Sequence, residues 1–278
     1  MAKKKEDFKY SVLMSVYYKE NPQYLNLSID SMLNQTILPD EFILVEDGPL
    51  TPELIRVIKK HILNNPGLFK IIKNKKNLGL GLSLRKGIKV AKNEWIARMD
   101  SDDYSIPIRC EQQLQFIKQN PEYEMVGSFE AEFINNMDNV ISIHKVPEKM
   151  EQIKQFMHRR CAVLHPTVMY KKSAVIRSGN YRNVPLYEDY DLFSRMVLEY
   201  NIKTYNIQKS LYYIRTSPDF YKRRGGIRYA GTVLRFKWNQ HVKGYMSLTD
   251  FIISGLGQAG VSILPNSLRK LFYMKVLR

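Results

Sequence analysis

The chain has 278 residues and a formal net charge of +16, with 44% hydrophobic and 25% charged residues. That is enough chain for one large domain or two small ones with a sizeable core, and it excludes disorder beyond the first few residues. No stretch reaches the ~18 apolar residues that a membrane-spanning helix needs, and "MAKKKEDF" has a positive start without the apolar core of a signal peptide. Cys110 and Cys161 are the only cysteines and fall in no C-x-x-C or metal-ligand spacing, so a reduced, cytoplasmic protein is expected.

In chain order, residues 10–18 ("YSVLMSVYY") form an apolar, strand-like run. Residues 22–35 have helical spacing at Leu25, Ile29 and Met32, with Pro22 near the start. Residues 41–47 ("EFILVED") are again a short apolar strand. Residues 51–65 repeat the helix signature, with Thr51 as N-cap, Pro52 at the first turn, and Ile55, Ile58 and Ile62 expected on one face. Strand 69–74, a glycine-containing turn, helix 80–92 and strand 94–100 complete a β-α-β-α-β-α-β order. Apolar strands separated by amphipathic helices predict a parallel sheet covered on both faces, with ligands beyond the C-terminal strand ends. Val16, Tyr17, Asp47 and Asp100 fall at such ends.

Beyond Pro107 the pattern changes. A helix is expected over 107–119, a strand over 123–134, a turn over 135–139, then a second strand and a helix over 148–158. Residues 162–170 ("AVLHPTVMY") read as a strand, 188–200 as a helix with an acidic start, and the stretch from about 228 as two or three amphipathic helices. From residue 201 onward there are 14 Lys/Arg against Asp219 and Asp250, so the tail calls for an anionic partner: nucleic acid, a phosphorylated substrate or a membrane surface.

Three groups of residues carry chemistry. "WIARMDSDDYSIP" (95–107) ends an apolar strand in Asp100, Asp102 and Asp103. Carboxylates spaced i and i+2 on a turn can converge on one hard cation, Mn²⁺ or Mg²⁺, shared with substrate phosphates. A haloacid-dehalogenase-type phosphatase would need Thr or Val where Tyr104 stands, and its motif on the first strand. "YEDYDLF" supplies Glu188, Asp189 and Asp191, candidates for removing a proton from an acceptor hydroxyl. "YYIRTSPDFYKRRGG" supplies Arg215, Lys222, Arg223 and Arg224, cations suited to a leaving diphosphate or an anionic acceptor. Gly79 and Gly81 give G-x-G, but Leu84 occupies the third position of a dinucleotide fingerprint.

In this order, "SVLMSVYYKENPQYLNLSIDSMLNQT", "FILVEDGP", "NLGLGLSLRKGI", "EWIARMDSDDYSIPIRCEQQ", "HPTVMY", "YEDYDLFSRM" and "YKRRGG" resemble glycosyltransferase family 2, the inverting enzymes of GT-A fold. The version here looks like the subgroup that builds capsules, exopolysaccharides and O-antigens. The resemblance implies an α/β fold, with a Rossmann-like donor half at about 1–105, an acceptor half at about 106–225 and a basic helical tail over 226–278. It implies that Val16, Tyr17, Glu20, Asp47, Asn77, Gly79, Arg85, Asp100 and Ser101 line the nucleotide-sugar site, with Asp47 on uracil. It implies Asp102 with Asp100 as metal ligands, Asp189 as general base and Glu188 orienting the acceptor. Asp191, Arg223 and Arg224 are weaker candidates for diphosphate or acceptor contacts.

The expected reaction is a single displacement from a UDP-sugar to a polyprenyl-diphosphate-linked glycan, inverting an α-linked donor to a β product. The Q-x-x-R-W motif of processive synthases is absent, so one sugar per visit is expected; Lys86 stands where many relatives carry Asn. Phe251, Ile252, Ile253, Leu256, Leu268, Leu271, Phe272 and Met274 lie among basic residues, so the tail is expected to touch an anionic membrane surface from the cytoplasmic side, or else to pack on the catalytic domain or a second copy. A nucleotidyltransferase and a nucleic-acid-binding protein are the competing readings; no nucleic-acid-binding signature supports the second.

Overall fold

The computed structural model describes residues 9–216, 224–265 and 268–269. Strands β1 (Tyr10–Val16), β2 (Glu41–Glu46), β3 (Phe69–Lys73) and β4 (Trp95–Met99) run parallel in the order β3-β2-β1-β4. Helices α1 (Pro22–Leu33), α2 (Pro52–Asn64) and α3 (Leu80–Val90) connect them. Every residue of β2 and β4 is buried, as strands covered on both faces must be. Leu13, Ile43, Val45 and Ile96 face one core; Val12, Met14, Phe42, Leu44, Ala97 and Met99 alternate to the other.

Local chemistry sets the helix starts. Asn21 accepts from the Gln23 amide at 2.8 Å ahead of Pro22, and Thr51 accepts from the Leu54 amide at 3.4 Å ahead of Pro52. Leu25, Ile29 and Met32 are buried as expected. In α2 the buried stripe is Leu54, Ile58 and His61, so the helix is rotated from the expected Ile55, Ile58 and Ile62. The His61 ring, beside Phe69 and Asn26, takes an inward position that hydrophobicity alone gives to isoleucine.

The second half extends the same sheet through β5 (Tyr104–Ser105), α4 (Arg109–Gln119), β6 (Met125–Ile134), β7 (Asn136–His144), α5 (Met150–Met157), β8 (Met169–Lys171), α6 (Lys172–Arg177), α7 (Glu188–Ser194) and β9 (Thr204–Arg215). β8 joins antiparallel to β4, and β6, β9 and β5 follow, with β7 antiparallel to part of β6. The turn expected over 135–139 contracts to Asn135, whose left-handed φ of 61° reverses the chain at once. Residues 162–170 are largely irregular: Pro166 sits in a 3₁₀ turn, His165–Thr167, and only Met169 and Tyr170 of that stretch join the sheet.

Helix α8 (Ile227–Val242) lies across α7, followed by the short α9 (Leu248–Asp250), a π-helical stretch (Phe251–Leu256) and α10 (Gly257–Ile263). Ala230, Val233, Phe236 and Ala259 share one hydrophobic core with Leu192, Phe193 and Met196. The inner face of the tail is therefore packed on the core around α7.

Candidate active site

The ends of β1, β2 and β4 lie side by side, and the Asp47 amide donates to the Val16 carbonyl at 2.8 Å. Asp47 is buried. Its Oδ1 accepts from Asn74 Nδ2 at 3.0 Å and the Leu78 amide at 2.7 Å, and its Oδ2 accepts from the Gly79 amide at 3.0 Å. Asn77 Nδ2 donates to the Asp47 carbonyl at 3.3 Å. Asp47 thus anchors the glycine loop with charge-assisted hydrogen bonds, and both carboxylate oxygens are engaged by the chain itself. Gly79, at φ 88°, turns the loop into α3. Lys86 donates to Asn74 Oδ1 at 2.6 Å, bracing the same loop, while Arg85 is exposed. Across the cleft Tyr17 is exposed, and Glu20 accepts from Ser101 Oγ at 2.6 Å, tying the loop after β1 to the acidic cluster.

Asp100, Ser101, Asp102 and Asp103 follow β4. Asp100 pairs with Arg98 Nη2 and donates its amide to Tyr212 Oη at 3.2 Å. Burial pushes Asp102 up to about 7, with the charges of Asp100 and Glu20 adding to the rise. Burial and Asp102 raise Asp103 well above the usual carboxylate range, and burial raises Glu20. Such a crowd of carboxylates calls for a counter-cation. Among the described residues no group of three or more His, Cys, Asp or Glu side chains converges as a metal cage. A hard cation on Asp100 and Asp102 would complete its shell with phosphate and water oxygens, which is how Mg²⁺ and Mn²⁺ sites on nucleotides are commonly built. The donor set fits such an ion.

Asp103 has a different task. Its Oδ2 accepts from Tyr212 Oη at 3.0 Å and its Oδ1 from the Arg215 amide at 2.7 Å. Fully enclosed, it ties the acidic turn to β9. Arg215 donates from Nε to the Asp102 carbonyl at 2.9 Å and lies over Tyr24, 3.8 Å from the ring centre. It braces the acidic turn from outside.

α7 opens with Glu188 and Asp189. Burial raises Asp189, whose Oδ1 accepts from the Tyr190 amide at 2.7 Å. Burial and the Asp189 charge push Glu188 up to about 7. A Cβ placed on Gly81 would lie 2.9 Å from Glu188 Cβ and 2.9 Å from the Arg182 carbonyl, so only glycine lets α3 and α7 come this close. The structure thereby brings the glycine loop, the acidic turn and the Glu188–Asp189 pair to one edge. Asp100 and Arg98 are close enough for their charges to act on Glu188.

One expected contact is not made. Asp191 is buried and its oxygens go to Arg195 (Nη2, 2.8 Å; Nε, 3.1 Å) and Lys243 (3.2 Å). It turns away from the cleft because it lies two residues further round the helix than Asp189. Arg224 is near enough for its charge to lower Asp189, whereas Arg223 lies outside the described residues. His165 is buried, bonded to Tyr181 Oη at 2.8 Å and held well below its ordinary range by burial, a structural histidine. Sequence reasoning missed Arg98 and Tyr212. Arg98 had a signal, a charge inside an otherwise apolar strand; Tyr212 had none.

A family profile, "Glycosyl transferase family 2", matches residues 11–179. An uncharacterized glycosyltransferase of Haemophilus influenzae is 36% identical over 270 residues, which is 97% of this chain and 99% of that protein. An Escherichia coli protein named UDP-Gal:alpha-D-GlcNAc-diphosphoundecaprenol beta-1,3-galactosyltransferase is 36% identical over 272 residues, 97% of each chain. The crystal structure of S. aureus TarS 1–349 in complex with UDP-GlcNAc superposes with a TM-score of 0.60 at 18% identity, covering 96% of this chain and 87% of TarS, and shares the fold. With the profile over more than half of the chain and both relatives over nearly all of it, this chain belongs to glycosyltransferase family 2, an α/β enzyme of GT-A fold.

Proposed function

We propose that the chain is an inverting, metal-dependent, non-processive enzyme of bacterial surface-polysaccharide synthesis. It moves a hexose or N-acetylhexosamine from a UDP-sugar to a hydroxyl of a polyprenyl-diphosphate-linked glycan. The observation that carries this reading is the meeting of two acidic groups at one sheet edge: the Asp100–Asp102 turn and the Glu188–Asp189 pair, with Arg98 bonded to Asp100 and its charge felt by both Glu188 and Asp189. One group suits a cation and diphosphate, the other a proton acceptor. The name of the E. coli relative gives a UDP-Gal donor and a lipid-linked GlcNAc acceptor for that protein, and the same classes are adopted here.

In this reading Val16, Tyr17, Asn77, Gly79 and Arg85 line the nucleoside side, over a loop held by Asp47. Glu20 and Ser101 close the ribose end. Asp100 and Asp102 would hold Mn²⁺ or Mg²⁺, which supplies positive charge for the departing diphosphate. Asp189 takes the proton of the acceptor hydroxyl, and its buried, raised carboxylate is a stronger base than an exposed one. Glu188 orients that hydroxyl. The acceptor oxygen bonds to the anomeric carbon as the bond from that carbon to the diphosphate oxygen breaks, and UDP leaves with the electron pair. Attack opposite the leaving group turns an α donor into a β product. Arg224 is placed to balance charge near Asp189.

No helix among the described residues is long and apolar enough to cross a membrane. The outer face of the tail, with Trp238, Ile252, Ile253, Leu256 and Ile263 exposed and Arg228 and Arg235 exposed on the same segment, suits peripheral contact with an anionic, cytoplasmic membrane surface, where a lipid-linked acceptor lies. Sedimentation with phosphatidylglycerol vesicles that is lost in Ile252→Ser/Ile253→Ser supports this contact; equal sedimentation of the variant refutes it.

The reaction is tested by a screen of UDP-sugars with Mn²⁺ and a synthetic lipid-diphosphate GlcNAc acceptor. Release of UDP with a β-linked product is the expected outcome. Pyrophosphate release in place of UDP would overturn the reading in favour of nucleotidyl transfer.

A further inference from the structure

Arg98 is the large cation buried within the site. It lies on β4, 1% exposed, on the same sheet face as Ile96 and hence on the side of α3 and α7. Its Nη2 meets Asp100 Oδ1. Its Nε and Nη1 are also enclosed, and among the described residues neither has a hydrogen-bond partner. Two idle nitrogens, carrying three N–H groups, on a buried guanidinium are an unusual cost, and one that a purely structural arginine avoids by finding carbonyls.

Arg109, the neighbouring buried arginine, does so: its Nη2 donates to the Arg98 carbonyl at 2.8 Å and the Val168 carbonyl at 3.2 Å. Behind Arg98, Tyr170, Tyr181 and His165 are occupied with one another, at 3.2 Å and 2.8 Å. In front, its charge reaches Asp102 on the donor side and both Glu188 and Asp189 on the acceptor side.

We propose that Arg98 is a positioning residue that couples donor binding to the base. Asp100, which Arg98 holds, would also be a ligand of a divalent cation bound with the donor. With Asp100 so engaged, the guanidinium would turn its two idle nitrogens to Glu188 and Asp189 and fix them for proton transfer. This deepens the reading of Asp100 and Asp102 as donor ligands and Asp189 as base, and rests on it.

The sharing fixes the sign of the test. A positive charge beside Asp100 competes with a divalent cation, so removing it leaves cation binding intact or tighter while the base loses its holder. A residue that merely packs would weaken both together.

The experiment uses the full chain with Arg98→Met and Arg98→Lys. Thermal melts check folding, calorimetry measures Mn²⁺–UDP affinity, and steady-state transfer gives kcat and KM. For Arg98→Met the expected result is Mn²⁺–UDP affinity equal to or above wild type, unchanged donor KM, and kcat lower by about 100-fold, the loss typical of a base displaced by an ångström. Arg98→Lys, which keeps the charge but not the planar fork, recovers part of kcat at unchanged affinity. A parallel fall of affinity and kcat in a folded Arg98→Met, or a normal kcat in either variant, overturns the proposal. Should Arg98→Met fail to fold, Arg98→Lys decides alone: a kcat loss of about 10-fold or more at unchanged affinity supports the coupling, and a wild-type kcat overturns it. Asp189→Asn is run beside them, because normal transfer by that variant sinks the base assignment itself, a failure distinct from that of Arg98.

Discussion

Replacing Glu188 by Gln removes a charge from the site while keeping the shape of the side chain. Glu188 has an ordinary value of 4.5 in the unfolded chain and is pushed up to about 7 in the fold, by burial first and by the Asp189 charge second. Between those values the folded chain binds a proton that the unfolded chain has released. Stability from this group therefore falls as pH rises from about 4.5 and levels off above about 7. Each pKa unit is worth ~1.4 kcal/mol, so the ionised Glu188 costs the fold on the order of 3 kcal/mol at pH 8. An amide carries no such cost.

Glu188→Gln is thus expected to be more stable than wild type at pH 8 and nearly equal to it at pH 5. For a chain of this size the gain at pH 8 amounts to a Tm rise of roughly 6 °C. The assay is thermal unfolding followed by circular dichroism, in chelator so that no cation masks the repulsion, at both pH values. Transfer activity falls in the same variant, as expected where a functional carboxylate is kept at the expense of stability. An unchanged Tm at pH 8, or an equal gain at both pH values, would refute the electrostatic argument.

Asp102→Asn is expected to abolish Mn²⁺-dependent UDP binding in calorimetry while leaving the fold intact; retained metal-dependent binding would place the cation elsewhere. Asp103→Ala strands the Tyr212 hydroxyl and the Arg215 amide, each costing about 1–3 kcal/mol, and denaturant melts should show that loss. Gly81→Ala forces α7 away from α3 and should cost about 1–3 kcal/mol together with a fall in kcat; a fully active variant would show that Glu188 tolerates the shift.

The first half of the chain was legible because its physics is local. Strands buried on both faces read as unbroken apolar runs, and Pro22 and Pro52 mark helix starts whatever packs above them. The second half was less so. Residues 204–215 mix Asn, Gln, Lys and Tyr and were assigned no element, yet they form the longest strand among the described residues. What holds β9 is its pairing with β6 along its length and the Asp103 carboxylate more than a hundred residues upstream, which no local pattern contains. The same distance hid the task of Asp103, which in the sequence is one acid among three. Asp191 misled for the opposite reason: it stands in the right motif, but the helix turn points it at Arg195 and Lys243.

The tail adds a step that charge alone did not suggest. Its inner face supports the start of α7, where the proposed base lies: Phe236 stacks on Tyr187 at 4.1 Å and 5° between planes, and Tyr187 is the residue at the N-cap of α7 immediately before Glu188. Lys237 lies over the Tyr190 ring at 4.9 Å and donates to the Arg159 carbonyl, and burial pulls it down to about 8. Tyr190 in turn donates to the Met157 carbonyl at 2.7 Å. Glu188 and Asp189 are thus held from behind by a helix that, on its outer side, exposes Trp238 and Val242. A membrane surface met by that outer side would press on the same helix that supports the proposed base. Truncation before Ile227 would therefore disable the enzyme even with a water-soluble acceptor, whereas a tail serving only as an anchor would leave such an acceptor fully reactive.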